Sequence, residues 1–415
     1  MDYFERTEPA LRRIIGDPTS DLYGFVVIDE FIGGRATGGI RITADVSPDE
    51  VARLAHEMTL KFAWLRLPSG GAKAGLVIDP QLSAGDREQR CRAFGAAIGD
   101  LLRSGRYVGG LDMGSGDQDL AAIHAGAGAG DRPGGPDKPS AIDSNFFTAL
   151  SVLSSIQALL ESRGRGIRGS GILLEGLGKV GGHLIQLLDR AGARILGVST
   201  RSGAVYNPAG LTVPELVQLR LRFGDGCVQH IPGQRFADST ALFLQEADVL
   251  VPGGAPDSLN ASNREQLAVS AIVPVANISA TPEIEDALHA GGIDFVPGFV
   301  ANSGGVFCWY LGGLSQAARE QVILGGFADK VRRLVGAADN AGCSIGAMAR
   351  CEALRNLRQA KDRERGAQGA RARHLLQKIS PRRLGYVLGS RMLGPALTAR
   401  APLLSRWYFD ARYFR

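Results

Sequence analysis

The feature that most constrains this chain is the stretch "GILLEGLGKVGGHLIQLLDRAGARILGVSTRSG", residues 171–203. An apolar run enters Gly176-x-Gly178-x-x-Gly181, an amphipathic helical stretch follows, and a second apolar run, "RILGVS", comes next. In such a βαβ unit the glycines permit a tight turn and close backbone approach, and the helix N-terminus faces a pyrophosphate. The stretch therefore reads as a dinucleotide-binding fingerprint, with Gly176, Gly178, Lys179, Val180 and Gly181 as cofactor-binding residues. About twenty residues on, where an acidic side chain would hold the adenosine ribose hydroxyls, stand Thr200, Arg201 and Ser202. An arginine among hydroxyls suits a 2′-phosphate, so Thr200 and Arg201 favour NADP over NAD. Three more strand candidates, "ADVLVPG", "AIVPVAN" and "GIDFVPG", alternate with helical stretches, which predicts a Rossmann-type doubly wound α/β sheet.

A second constraint comes from "LAHEMTLKFAWLRLPSGGAKAG", residues 54–75, which sets Lys61 and Lys73 twelve positions apart. Ahead of it, Ser47-Pro48-Asp49-Glu50 has the form of a helix start, with a capping Ser, Pro at the first helical position and Glu three residues after the cap. Val51, Leu54, Met58, Phe62 and Leu65 follow at spacings of three and four, so an amphipathic helix is predicted, with Lys61 projecting from its apolar face. Lys73 falls in what reads as a glycine-rich loop before the short strand "LVID". A buried ammonium is costly without compensation, and two of them near one cleft point to an anionic ligand.

Upstream, "YGFVVIDEFIGGRATGGIRIT" reads as two strands around a Gly-rich turn. Downstream, "DREQRCRAFGAAIGDLLRS" reads as one helix leading to the strand-like "RYVGGLDMGSGDQDLAAI". Asp112 sits where that strand gives way to a turn, placed either to cap the next helix or to face a site. "GAGAGDRPGGPDKPS", rich in Gly and Pro, reads as the linker closing a first domain.

Composition sets the outer bounds. At 415 residues, with 45% hydrophobic and 21% charged residues, the chain is long enough for two or three globular domains. No signal-peptide core is read at the start and no apolar run is long enough to span a membrane, so a cytoplasmic location is expected. The five cysteines, Cys91, Cys227, Cys308, Cys343 and Cys351, are scattered without ligand spacing, so no disulfide framework and no metal site is indicated and core thiols are expected. From Ala353 to Arg415 there are 15 Lys/Arg against three acidic residues, a block of +12 on a chain whose net charge is +5. Such a block fits a solvated face or subunit contact better than nucleic acid or another anionic partner.

Read in order, "GGIR", "MTLK" with "GGAK" twelve residues later, "DMGS", "FFTAL", "GLGKVGG", "SGAVYNPAGL", "ADVLVPG", "VAN" and "VANSGGV" resemble the glutamate, leucine, phenylalanine and valine dehydrogenase family from about residue 20 to about residue 310. The resemblance implies NAD(P)-dependent oxidative deamination of an L-amino acid to the 2-oxo acid and ammonia, and its reversal. It implies that Lys61, always charged, grips the substrate α-carboxylate, that Lys73 is the catalytic base, and that Asp112 shuttles protons. Gly39, Met58, Leu111, Thr148 and Val306 are implied as substrate neighbours, and Asn277 and Asn302 as cofactor or substrate neighbours. A homo-oligomer built through the first domain is also implied. Family members acting on glutamate resemble "KGGxR" at the first motif, where this chain has Thr37, so an uncharged substrate side chain is favoured and the pattern looks closer to the leucine and phenylalanine enzymes. Two departures, "PVAN" where the family has "EGAN" and Leu150-Ser151 where it has Tyr-Gly, keep open a catalytically weak, dinucleotide-binding regulatory or scaffold protein on the same fold.

The expected organisation is an N-terminal α/β substrate-binding and oligomerisation domain over residues 1–143 and a Rossmann-type domain over 144–336. A helical segment over 337–365 and a basic extension over 366–415 complete it.

Overall fold

A computed structural model describes residues 8–18, 21–129 and 142–366. They form two compact units: residues up to 129 with those from 352 onward make the first, and residues 142–351 the second. Most of the Gly/Pro linker and the basic extension beyond residue 366 lie outside the described residues.

The first unit is built on strands β1 (Leu11–Asp17), β2 (Leu22–Ile28), β3 (Ala36–Thr43), β4 (Gly70–Val77) and β5 (Tyr107–Leu111), in the sheet order β1-β2-β4-β3-β5. Helix α1 (Pro48–Trp64) comes between β3 and β4, α2 (Ala84–Ala97) and α3 (Gly99–Ser104) before β5, and α4 (Asp117–Gly126) after it. β2 and β3 are not neighbours; β4 lies between them, antiparallel to β2 and parallel to β3. The Gly-rich segment therefore links two strands across a third. Strand β1 was not read from the sequence, since its two arginines and short apolar run give only weak alternation. It pairs antiparallel with β2 from Leu11↔Ile28 to Asp17↔Leu22. The segment after Asp86, expected as one helix, breaks at Ile98 into two.

A further correction concerns Lys73, which stands in the middle of β4 rather than in a loop. Alternation along a strand puts Gly71, Lys73 and Gly75 on one face and Ala72, Ala74 and Leu76 on the other. The alanines and the leucine join Phe94, Ile98, Leu101 and Ile123 in the core. The glycines face α1. A Cβ on Gly71 would lie 2.1 Å from the Thr59 nitrogen and 2.4 Å from the Ala55 oxygen, and one on Gly75 would lie 2.8 Å from Val51. These glycines thus serve helix-on-strand packing. Ser47 caps α1 by accepting from the Glu50 N–H at 3.2 Å, as the sequence predicts. Helix α1 then buries Val51 and Ala55 against Phe25, Val27 and Val46.

The second unit starts with α5 (Ser144–Ser162) and continues through β6 (Gly171–Glu175), α6 (Lys179–Arg190), β7 (Arg194–Thr200), β8 (Gly203–Tyr206), α7 (Val213–Phe223), β9 (Gln234–Phe236), β10 (Ala247–Val251) and β11 (Val269–Ile272). It ends with α8 (Pro282–Ala290), β12 (Asp294–Phe295), α9 (Gly298–Ala301), α10 (Gly304–Tyr310) and α11 (Gln316–Ala341). Sheet order is β12-β11-β10-β6-β7-β8-β9; the strands from β12 to β7 are parallel, and β8 and β9 close the edge as an antiparallel ribbon. Successive crossovers leave β6 in opposite directions, toward β7 and later toward β10, so the loop after β6 lies at a topological switch point where such folds bind ligands.

Helix α12 (Ile345–Gly366) closes the described chain, and from Glu352 it belongs to the first unit. There Asn356 Nδ2 donates to the Ala63 oxygen at 3.1 Å, Lys361 pairs with Glu30, and Glu364 accepts from the Gly33 N–H. Cys91, Cys227 and Cys308 are buried, but Cys343 is half-buried and Cys351 exposed, so those two are not core thiols. No described helix is long and apolar enough to cross a membrane.

Candidate active site

In the first unit, three strands bring one charged cluster together. Lys73 on β4 is 2% exposed, and its Nζ donates to Asp112 Oδ1 at 2.8 Å. Arg41 on β3 donates from Nε to Asp112 Oδ2, also at 2.8 Å, and pairs with Glu50 of α1 through another nitrogen. Asp112 follows β5 directly, and its own N–H is held by Ser115 Oγ at 2.8 Å. It caps no helix: α4 begins at Asp117 behind Gly116. Gly39 makes room for it, since a Cβ there would sit 2.8 Å from the Asp112 Cβ. Burial pushes the Asp112 carboxyl up, but the charges and hydrogen bonds of Lys73 and Arg41 pull harder and hold it below its ordinary value.

Lys61, in the last turn of α1, is 4% exposed. Burial first, and the nearby Lys73 ammonium second, lower its pKa to about 8; Glu57 and Asp112 act in the opposite direction. The expectation of a permanently charged Lys61 is therefore corrected: its proton is the loosened one, because the α1 face that carries it is packed away from water. Met58 is buried beside it on α1, whereas Leu111 is 45% exposed at the end of β5. Thr37 carries no charge to its neighbourhood, and its hydroxyl meets Ser69 Oγ at 2.8 Å.

The fingerprint of the second unit divides its work among three glycines. Gly176 has φ +88°, a backbone that side chains disfavour. A Cβ on Gly181 would lie 2.0 Å from the Gly176 oxygen, so this glycine lets α6 seat against the loop. Gly178 is the N-cap of α6 and faces open space, with nothing within 4 Å of a built Cβ. Lys179, Val180 and Gly181 form the first turn, whose N–H groups have no acceptor within the helix. This cradle fits a pyrophosphate.

Around it, Thr200 ends β7 buried, its Oγ1 donating to the Asp225 oxygen at 2.6 Å, and Arg201 is exposed in the turn that follows. Asn302 donates to the oxygens of Val275 and Ala276 at 2.9 and 3.1 Å and to Asn277 Oδ1 at 3.2 Å; its own Oδ1 is buried without a partner among the described residues. Thr148 on α5 donates to the Ser144 oxygen at 2.8 Å and touches α10 at Gly305, beside Val306.

Four residues escaped the sequence reading. Arg41 and Glu50 stand at the end of "GGIR" and in the cap of α1, where their local patterns mark a motif ending and a helix start rather than a charged cluster. Glu175 accepts from the N–H groups of Gly253 and Gly254 at 3.0 Å, and burial pushes its carboxyl up. Arg220 of α7 donates to the Leu177 oxygen at 3.1 Å and pairs with Asp225, so a guanidinium borders the fingerprint loop. A charge ending a strand before a fingerprint was the one available signal for Glu175; nothing local marks Arg220.

A parallel sheet with this loop at its switch point defines a class of dinucleotide-binding proteins, and the buried amines of the first unit suit a substrate bearing a carboxylate. Family models narrow the class: Glutamate/Leucine/Phenylalanine/Valine dehydrogenase matches residues 142–350, and the dimerisation domain of the same enzymes matches residues 18–127. An NAD-specific glutamate dehydrogenase of Staphylococcus aureus is 31% identical over 286 residues, 67% of this chain and 68% of that protein. Among solved structures, the leucine-bound hetero-hexameric glutamate dehydrogenase of Thermus thermophilus matches with TM-score 0.72 and 26% identity, covering 85% of this chain and 89% of the other. L-Tryptophan dehydrogenase from Nostoc punctiforme, at 21% identity and TM-score 0.58 over 85% and 96% of the two chains, shares the fold. The chain belongs to the Glu/Leu/Phe/Val dehydrogenase family. It is an amino acid dehydrogenase, an oxidoreductase working with NAD or NADP.

Proposed function

We propose that this enzyme converts an L-amino acid with an uncharged side chain to its 2-oxo acid and ammonia, and the reverse, with Lys61, Lys73 and Asp112 carrying the substrate chemistry. The observation that carries this reading is the pair of buried lysines in mutual electrostatic contact, one of them hydrogen-bonded to Asp112. Lys61 binds the α-carboxylate, which orients the Cα–H bond. Lys73, once it gives up its proton, draws a proton from water as that water attacks the Cα iminium carbon. Asp112 exchanges a proton with the departing amine. The dinucleotide, when bound, accepts hydride from Cα or returns it. Gly176, Gly178 and the first turn of α6 hold its pyrophosphate. Asn277 and Asn302 are its further neighbours, and Gly39, Met58 and Leu111 border the substrate.

Two finer choices follow. Thr37 and its hydroxyl partner Ser69 leave a distal carboxylate without that position's cation, which supports an uncharged side chain; the glutamate dehydrogenases among the relatives favour glutamate. Arg201, with the Arg220 guanidinium beside the loop, favours NADP, and the name of the S. aureus relative favours NAD. We also propose a homo-oligomer assembled through the first unit. Reductive amination of a panel of 2-oxo acids with ammonia, followed by loss of NADH or NADPH absorbance, tests the whole reading. Turnover of branched or aromatic 2-oxo acids above 2-oxoglutarate is expected. Preference for 2-oxoglutarate overturns the side-chain choice, and cofactor binding without any turnover leaves the regulatory alternative.

A further inference from the structure

Arg41 is 6% exposed, and no role in the chemistry has been assigned to it. A buried guanidinium is costly unless its partners are fixed, and this one has two: Asp112 Oδ2 at 2.8 Å, and Glu50. Asp112 is thereby held from both sides, with Lys73 on its other oxygen. Lys61 from α1 and Tyr107 from β5, whose hydroxyl donates to the Gly38 oxygen at 3.0 Å, also act at this carboxylate. Glu57 acts on Lys61. Arg41 is thus a buried cation of the cluster, and Glu50 is its second anionic partner beside Asp112.

We propose that Arg41 is a positioning residue: it holds one oxygen of Asp112, aims the other at Lys73 and balances the carboxylate's charge, while Glu50 tempers that balance. The inference rests on Lys73 being the base. Arg41 therefore keeps Asp112 aimed at the base without touching substrate, and the length of its side chain is what lets Glu50 on α1 take part.

The sign of each substitution follows from Coulomb's law. Removing the cation in Arg41→Gln raises the pH at which Asp112 loses its proton, and removing the anion in Glu50→Gln lowers it. The acid limb of kcat/KM for oxidative deamination should rise by about one pH unit in R41Q and fall by about half a unit in E50Q. R41K should return most of the way to the wild-type profile, although its single amine cannot hold both carboxylates as the guanidinium fork does. Limbs that stay in place, or move in the same direction in R41Q and E50Q, overturn the proposal. Should R41Q fail to fold, E50Q alone decides by the direction of its displacement. Lys73→Ala separates this inference from the one beneath it: normal turnover in K73A removes the base assignment itself, whereas an inactive K73A with unmoved limbs in the other variants removes only the role of Arg41.

Discussion

Lys73 and Asp112, 39 residues apart in the chain, meet in a 2.8 Å ion pair at the meeting point of strands β3, β4 and β5. Both carboxylate oxygens are engaged, one by Lys73 and the other by Arg41. Each oxygen keeps a second lone pair with which Asp112 can take a proton from an amine. In the resting arrangement it is an acceptor that holds cations in place.

Asp112→Asn tests that arrangement. The amide removes the negative charge and leaves Lys73 and Arg41 buried with less compensation, so stability should fall by roughly 3 kcal/mol. Thermal unfolding should show the loss, and turnover should drop by about 10²-fold or more if the group also transfers protons. A variant with wild-type melting would contradict the coupling.

Lys61 predicts a pH dependence of binding. Its folded pKa, about 8 against an ordinary 10.5, means that the ammonium which grips a carboxylate is present below about 8 and lost above it. KM for the 2-oxo acid should therefore climb as pH rises through that value, with kcat less affected. Stability runs the opposite way. The folded state holds this proton less tightly than the unfolded chain, so the penalty is full below pH 8 and is relieved as pH rises toward 10.5. Lys61→Met should remove this slope and add up to about 3 kcal/mol at neutral pH, less whatever contacts the ammonium gives up, while abolishing substrate binding. Denaturant titration across pH checks both signs.

Gly71→Ala should destabilise the first unit by about 2–3 kcal/mol, because the added methyl would meet backbone atoms of α1, which cannot swing aside as a side chain can. A melting temperature unchanged within error would show that α1 and β4 are less tightly seated than described.

Gly178→Ala and Gly181→Ala separate ligand space from packing space. The Gly178 position is open, so its alanine variant should melt normally yet bind reduced dinucleotide about tenfold more weakly by fluorescence. The Gly181 variant drives a methyl onto the Gly176 oxygen and should lose both stability and binding. Equal behaviour of the two would contradict this division.

Local signals carried much of the architecture. The fingerprint glycines, the Ser47 cap and the apolar period of α1 are each decided within a few residues, and all three were legible. Lys73 was misread because "SGGAKAG" has the composition of a loop; its glycines answer to a helix packed across the strand, a relationship stored in Val51, Ala55 and Thr59. Arg41 and Glu50 were passed over for a similar reason. Their partners sit on other elements, and a residue that acts through a distant neighbour leaves no pattern in its own vicinity. The lowered pKa of Lys61 depends on burial, which spacing alone does not measure.

Because α12 starts in one unit and ends in the other, the first unit is not a continuous stretch of polypeptide. A fragment stopping near residue 129 would carry every member of the charged cluster and still lack the helix that satisfies Glu30, the Gly33 amide and the end of α1. Dissecting the enzyme into an independently expressed amino-terminal half therefore calls for residues 352–366 to be grafted back or added as a separate peptide. The binding of such a peptide would report how far the terminal helix completes the fold of a region encoded more than two hundred positions earlier.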